Sequence, residues 1–173
     1  MPDIRVHRSF LAAMAEFQAE GGGGPSDSTL TGVSIRTYAS RWADPTEFSR
    51  YLRDLAEQTQ ESPHPDERVP QTTLWWVSKD QYLGRISIRY RLTARLRQIG
   101  GHIAYDVRPS ARRRGHGTAM LAAALPIAHS LGVDPALITC DDDNVGSRKV
   151  IEANGGVLED MSSGIARYWV STA

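Results

Sequence analysis

The chain has 173 residues, 40% of them apolar, with 20 Lys plus Arg against 20 Asp plus Glu and a single cysteine. That length and composition predict one domain with ample core, and the balanced charge speaks against general affinity for nucleic acid or membranes. Lone Cys140 excludes an internal disulfide and predicts a reducing, cytoplasmic setting. No stretch is long enough to span a bilayer, and residues 1–20 lack the pattern of a signal peptide.

Ile4–Val6 reads as a short strand. Ser9 then caps a helix to about Glu20, with Phe10, Met14 and Phe17 at helical spacing. Gly21–Gly24, Pro25 and the Ser/Asp run after them read as a mobile loop. Asp44-Pro45-Thr46-Glu47 offers a cap, a proline at the first helical position and a reciprocal Glu. It predicts a helix to about Gln60 with Phe48, Leu52 and Leu55 on its apolar side, followed by a proline-broken loop over 62–70. Thr72–Ser78 and Tyr82–Tyr90 read as a hairpin across Lys79-Asp80-Gln81, in which alternation splits Trp75 and Trp76 between core and surface. Leu92–Gln98 is a short helix or loop, and Gly101–Arg108 a strand. A helix follows from Arg112 to about Leu131, kinked or missing a hydrogen bond near Ala122 because of Pro126. The chain then gives a strand over 136–140, a helix over 144–154 and strands over 156–161 and 165–171. The fold class is therefore α/β.

The most informative stretch runs from Val107 to Thr118. A strand stops before Pro109, arginines stand at 108, 112, 113 and 114, and Gly115 and Gly117 open a helix. Such a turn presents free N–H groups at the positive end of a helix dipole, where a phosphate or pyrophosphate binds. Glycine lets the backbone approach the anion, and arginine adds charge that does not titrate away. No Gly-x-x-x-x-Gly-Lys-Ser/Thr loop is present, which disfavours an NTPase. Met120 stands where a dinucleotide loop needs its third glycine. A cluster such as Arg112–Arg114 is also compatible with a merely solvated face.

The spacing Arg112-x-x-Gly115-x-Gly117 resembles the pyrophosphate loop of the GNAT superfamily of N-acetyltransferases. A second block agrees: strand Leu137-Ile138-Thr139-Cys140, then Asn144-Val-Gly-Ser147 opening a helix that ends at Gly155-Gly156. Gly101-His-Ile-Ala-Tyr-Asp-Val-Arg-Pro-Ser110 is similar to a group of bacterial acetyltransferases without an assigned substrate. The resemblance runs from about Thr72 to the C-terminus. It implies a single domain over 1–173 with a mixed sheet of six to seven strands, splayed between the fourth and fifth. Residues 72–173 would form the acyl-CoA-binding core, and 1–70 the acceptor-side helices and loops.

The resemblance further implies acetyl transfer from acetyl-CoA to a small-molecule or peptide amine in a ternary complex. It implies no metal, nucleic acid or membrane partner, and leaves a homodimer open. Holding both reactants together can supply roughly 7–11 kcal/mol of the barrier. The implied cofactor contacts are Tyr105, Asp106 and Val107 on the strand, Arg112, Arg113, Arg114, Gly115, His116, Gly117 and Thr118 in the loop, and Asn144 and Ser147. His102 is the candidate base, with Asp106 its weaker rival; a structural strand histidine is the competing reading. Where many family members carry a leaving-group tyrosine this chain has Ile151, which makes Tyr168 and Ser147 the candidate acids. Asn144 caps its helix in either case, Cys140 reads as a buried strand residue, and Asp141–Asp143 as a solvated turn. His7, His64 and His129 read as surface residues, while Glu16, Glu20, Arg41 and Trp42 are candidate acceptor readers. A non-catalytic acyl-CoA-binding module is the alternative, and a generic phosphate-binding domain a third reading.

Overall fold

The structure, a computed structural model, describes residues 1–61 and 69–173. His64 and most of the expected loop over 62–70 lie outside the described residues. The chain opens with a 3-10 turn, Ile4–Val6, instead of a strand; the Asp3 carboxylate accepts the Arg5 N–H and closes it. Helix α1 (His7–Ala19) follows directly and buries Phe10, Met14 and Phe17. Ser9 does not cap this helix. It is buried one turn inside, where its Oγ accepts the Tyr82 N–H at 3.0 Å.

Helix α2 (Leu30–Tyr38) lies beyond the expected glycine-rich loop, in sequence for which no element is predicted. Thr29 caps it by accepting the Gly32 N–H at 3.0 Å. Asp27 organises the glycine-rich approach, accepting from the N–H groups of Gly23 and Thr29, each at 2.9 Å. Helix α3 (Pro45–Glu57) starts as expected, with Asp44 accepting from Thr46 and Glu47 N–H, and buries Phe48, Tyr51 and Leu55. Glu47 pairs forward with Arg50 instead of reaching back to the cap.

Strands β1 (Gln71–Ser78) and β2 (Gln81–Arg89) form the hairpin, turned by Lys79 and Asp80. Then come α4 (Ala94–Gln98), β3 (Ile103–Val107), a 3-10 turn at Pro109–Ala111, and α5 (His116–Ser130). Pro126 lies inside α5, and exposed Ala122, whose carbonyl it deprives of a partner, can use water. Strand β4 (Ala136–Asp141), helix α6 (Val145–Glu152) and strands β5 (Val157–Ser162) and β6 (Ile165–Val170) complete the chain.

Among the described residues, six strands form one mixed sheet in the order β1-β2-β3-β4-β6-β5. Every neighbouring pair is antiparallel except β3–β4, which is parallel and joined in register only at Ile103 and Ile138. Because Ile4–Val6 adds no strand, the splay falls between the third and fourth strands. Both sheet faces are covered. Helices α5 and α6 pack on one, around Ile88, Ile103, Leu121, Ile138 and Ile151. On the other, α1, α2 and α3 enclose an aromatic core of Phe10, Trp42, Phe48, Tyr51, Trp75 and Tyr82. Trp75 and Trp76 therefore divide between two packed faces, Trp76 donating its indole N–H to His116 at 3.3 Å.

Candidate active site

The splay is a wedge with a closed end and an open end. At the closed end the His102 N–H donates to the Leu137 carbonyl at 2.7 Å, and the Gly100 N–H to Thr139 Oγ1 at 2.8 Å. Gly101, at φ +59, packs so closely that a Cβ would lie 2.4 Å from the Leu137 oxygen. Beyond Ile103 the strands part. Arg89 donates to the His102 carbonyl and Arg108 to that of Leu83, so alternation turns the even-numbered residues of β3 toward β2. Odd-numbered Tyr105 and Val107 turn their N–H groups toward β4, and no pairing with β4 reaches them.

The turn from β3 to α5 borders the open end. Gly115 sits at φ +81 with open space around its Cα hydrogens, so its glycine is demanded by backbone conformation. Gly117 packs tightly against α6 instead, since a Cβ there would lie 3.1 Å from Val150 Cγ2. Among the described residues no side chain caps α5, which leaves the N–H groups of His116, Gly117 and Thr118 at its positive end available to an anion.

The four arginines divide into two kinds. Arg108 makes a two-pronged contact with Glu16 at 2.8 and 2.6 Å, and Glu16 also accepts the Ser110 N–H at 2.9 Å. These bonds, chiefly the one from Arg108, hold the Glu16 pKa down at about 2. Arg112 pairs with Glu20 at 2.8 Å and donates to the Val107 carbonyl at 3.1 Å. Arg113, at φ +63, and Arg114 are exposed and have no acidic partner among the described residues. Arg112 is thus a strut that shapes the turn, and Arg113 and Arg114 are its unpaired charges.

Glu16 and Glu20, two of the candidate acceptor readers, are consumed in this bracing. The other two are also engaged elsewhere: Trp42 is 2% exposed in the aromatic core, and Arg41 lies 5.3 Å from the Tyr38 ring centroid. His7, expected at the surface, stacks on Phe48 and its Nε2 lies 2.6 Å from the Trp42 carbonyl oxygen. His129 is exposed.

Across the wedge, Asn144 caps α6 by accepting the Ser147 N–H at 2.9 Å, and the Tyr105 hydroxyl meets Ser147 Oγ at 2.8 Å. Half-buried Cys140 lies near this pair, and burial pushes both its thiol pKa and that of Tyr105 up. Asp106 faces the opposite side of β3. Its Oδ2 accepts the Thr31 hydroxyl at 2.9 Å and lies 3.6 Å from Arg85 Nε.

The geometry gives both candidate catalytic side chains, His102 and Tyr168, structural hydrogen-bond partners. His102 lies at the closed end, and its Nδ1 accepts the Leu137 N–H at 2.9 Å. A neutral ring so bonded carries its proton on Nε2 and has no lone pair left to act as a base. Burial, with Arg89 nearby, pushes its pKa below the ordinary imidazole value and favours that neutral form. Tyr168 is 1% exposed, donates to Glu152 at 2.9 Å and accepts from Arg148 at 3.1 Å. Its proton is committed to anchoring α6, and burial raises its pKa. Ile151, where the family pattern has tyrosine, is fully buried core.

A cavity of about 680 Å³ opens on the Asp106 side of the sheet, between α2, α3, β1, β2 and α4. Arg85, Arg89 and Arg95 line it together with hydroxyl and amide side chains, and no acidic side chain does so among the described residues. Sequence reading did not find this chamber. Its only local trace is that Arg85, Ser87 and Arg89 alternate along one face of β2, which also fits an exposed strand. No group of three or more potential metal ligands occurs among the described residues, and no helix among them is long and apolar enough to cross a membrane.

Solved structures share this architecture. Mycobacterium smegmatis RimJ in complex with CoA-disulfide aligns over 98% of this chain and 79% of its own, at 15% identity and a TM-score of 0.64. The microcin C7 self-immunity acetyltransferase MccE, in complex with acetyl-CoA and AMP, aligns over 98% and 89%, at 12% identity and a TM-score of 0.63. Campylobacter jejuni N-acetyltransferase PseH, in complex with acetyl coenzyme A, aligns over 81% and 91%, at 16% identity and a TM-score of 0.53. These likenesses are of fold, and no curated protein matches the sequence significantly. The model of the acetyltransferase (GNAT) domain, however, matches residues 31–157, which span the wedge, the glycine turn and the capped helix after β4, and the chain belongs to the GNAT acetyltransferase family.

Proposed function

We propose that this chain moves an acetyl group from acetyl-CoA to a primary amine by direct attack in a ternary complex. The observation that carries the reading is the wedge, whose unpaired Tyr105 and Val107 N–H groups lie on the strand leading to an uncapped helix N-terminus. These groups fit acetyl-CoA: a strand edge for an amide-bearing arm, and N–H groups beside Arg113 and Arg114 for a pyrophosphate. Asn144 and Ser147 flank the same opening. When bound, acetyl-CoA supplies a thioester with an electrophilic carbonyl carbon and a sulfur leaving group.

The chain's own residues hold the reactants and move the proton. The Val107 N–H is the candidate donor to the carbonyl oxygen as negative charge develops there. The Asp106 carboxylate, on the acceptor side of β3, is the group we assign to receive the amine proton as the N–C bond forms and the C–S bond breaks. The sulfur departs as a thiolate and takes its proton from solvent, which a thiol's modest pKa permits. Half-buried Cys140, without a disulfide partner, supports a cytoplasmic setting.

Asp106→Asn tests the assignment. It is expected to lower kcat by about 10²–10⁴-fold, with acetyl-CoA affinity by calorimetry unchanged. Wild-type kcat in this variant would remove Asp106 from the chemistry. Tight acetyl-CoA binding with no turnover on any amine would favour the non-catalytic binding module, for which buried Ile151 and committed Tyr168 speak.

A further inference from the structure

The cavity beside Asp106 carries a charge pattern that a simple cationic amine would not use. Arg85 is 4% exposed and lines the chamber. Its Nη1 donates to Ser34 Oγ at 3.0 Å, but neither Nη2 nor Nε has a hydrogen-bond partner among the described residues. The carboxylate nearest to it, Asp106, stands 3.6 Å from Nε and is shared with Thr31. A buried guanidinium with incomplete bonding is costly, and the cost is relieved by an oxyanion. Arg89, four residues along β2 and thus about 13 Å away at strand rise, spends Nη1 on the Gly100 and Gly101 carbonyls at 2.9 and 3.0 Å. Those partners are neutral, and burial pushes the Arg89 pKa down, as for a cation lacking a counter-charge. Arg95 adds a third, exposed guanidinium. Among the described residues neither Arg89 nor Arg95 has an acidic partner.

In a chain of zero formal net charge, this chamber collects three cations and, among the described residues, no lining anion. From Arg85 to Arg89 it extends along β2, with Asp106 beside the Arg85 end. We infer that the acceptor is an amine carrying an oxyanion, carboxylate or phosphate, with its amine toward Asp106 and its oxyanion among Arg85, Arg89 and Arg95. This rests on the transferase reading above and names its substrate class.

The test measures kcat/KM, by thiol release from acetyl-CoA, on four matched acceptor series of equal chain length: ω-amino carboxylates, aminoalkyl phosphates, the carboxamides and unbranched diamines. Acetyl-CoA binding is followed separately by calorimetry. At least one oxyanion series is expected to exceed the carboxamides by about tenfold or more, the value of one retained charged hydrogen bond, and the better of the two identifies the anion. Arg95→Gln, an exposed change, is expected to shrink that ratio several-fold, and Arg85→Gln to shrink it further if it folds. Diamines or carboxamides that match the oxyanion acceptors would overturn the inference and leave the transferase standing. Absence of acetyl-CoA binding would overturn both.

Discussion

His102 shows how one hydrogen bond separates a structural histidine from a catalytic one. Its ring seals the point where β3 and β4 begin to part, by accepting a backbone N–H that no strand pairing would satisfy. His102→Ala is therefore expected to leave kcat unchanged. It should cost about 1–3 kcal/mol of stability for the orphaned Leu137 N–H, read as a lower denaturant midpoint. A loss of about 10²-fold in kcat with stability intact would return the histidine to the reaction. At the same scale, the two loop glycines answer different demands. A backbone in the left-handed region explains Gly115, while Gly117 lies in tight contact range of Val150.

Among the elements, α1 braces the turn between β3 and α5. Glu16 binds Arg108 and the Ser110 N–H while Glu20 binds Arg112, so the helix face carrying both carboxylates fixes the loop from outside. The linkage has a definite sign. The folded-state pKa of Glu16 is lowered from 4.5 to about 2, so its contribution is fully present above pH 4.5 and disappears as pH falls from there toward 2. Thermal unfolding across that range should show Glu16→Gln less stable than wild type at neutral pH, with the gap narrowing below pH 4.5. The variant should also bind acetyl-CoA more weakly, because the turn loses its brace. A gap that stays constant with pH would show that the pair does not contribute through ionised Glu16.

For the whole molecule, the sheet is a partition between two cores with separate duties. The α5–α6 face backs the proposed donor wedge, and the aromatic face supports the acceptor-side helices. Phe10 is the hub of the second core, its ring centroid within 5.9 Å of those of Trp42, Phe48, Tyr51, Trp75 and Tyr82. Phe10→Ala should cost about 3–5 kcal/mol, read from denaturant unfolding. Because α1 carries Glu16 and leads directly into Glu20, the same change should also weaken cofactor binding. Full stability in that variant would show that the aromatic face repacks without its centre.

Features set by local chemistry were legible in the chain. The Asp44-Pro45 helix start, the Lys79-Asp80 turn, the Asn144 cap and the glycine turn at 115 each follow from a few neighbouring residues. Helix α2 was not legible, because a glycine run precedes it and its cap lies among residues that equally suit a loop. Nor could the sequence separate the arginines that brace from those left unpaired, since the partners Glu16 and Glu20 stand 92 positions away from Arg108 and Arg112. The sequence by itself determined an α/β chain with an anion-binding turn after a strand, because caps, turns and periodicity are short-range. Only the tertiary structure decided that His102 seals the wedge, that Tyr168 anchors α6 and that three arginines share one cavity. Hydrogen-bond partners and burial depend on which distant segments the fold brings together.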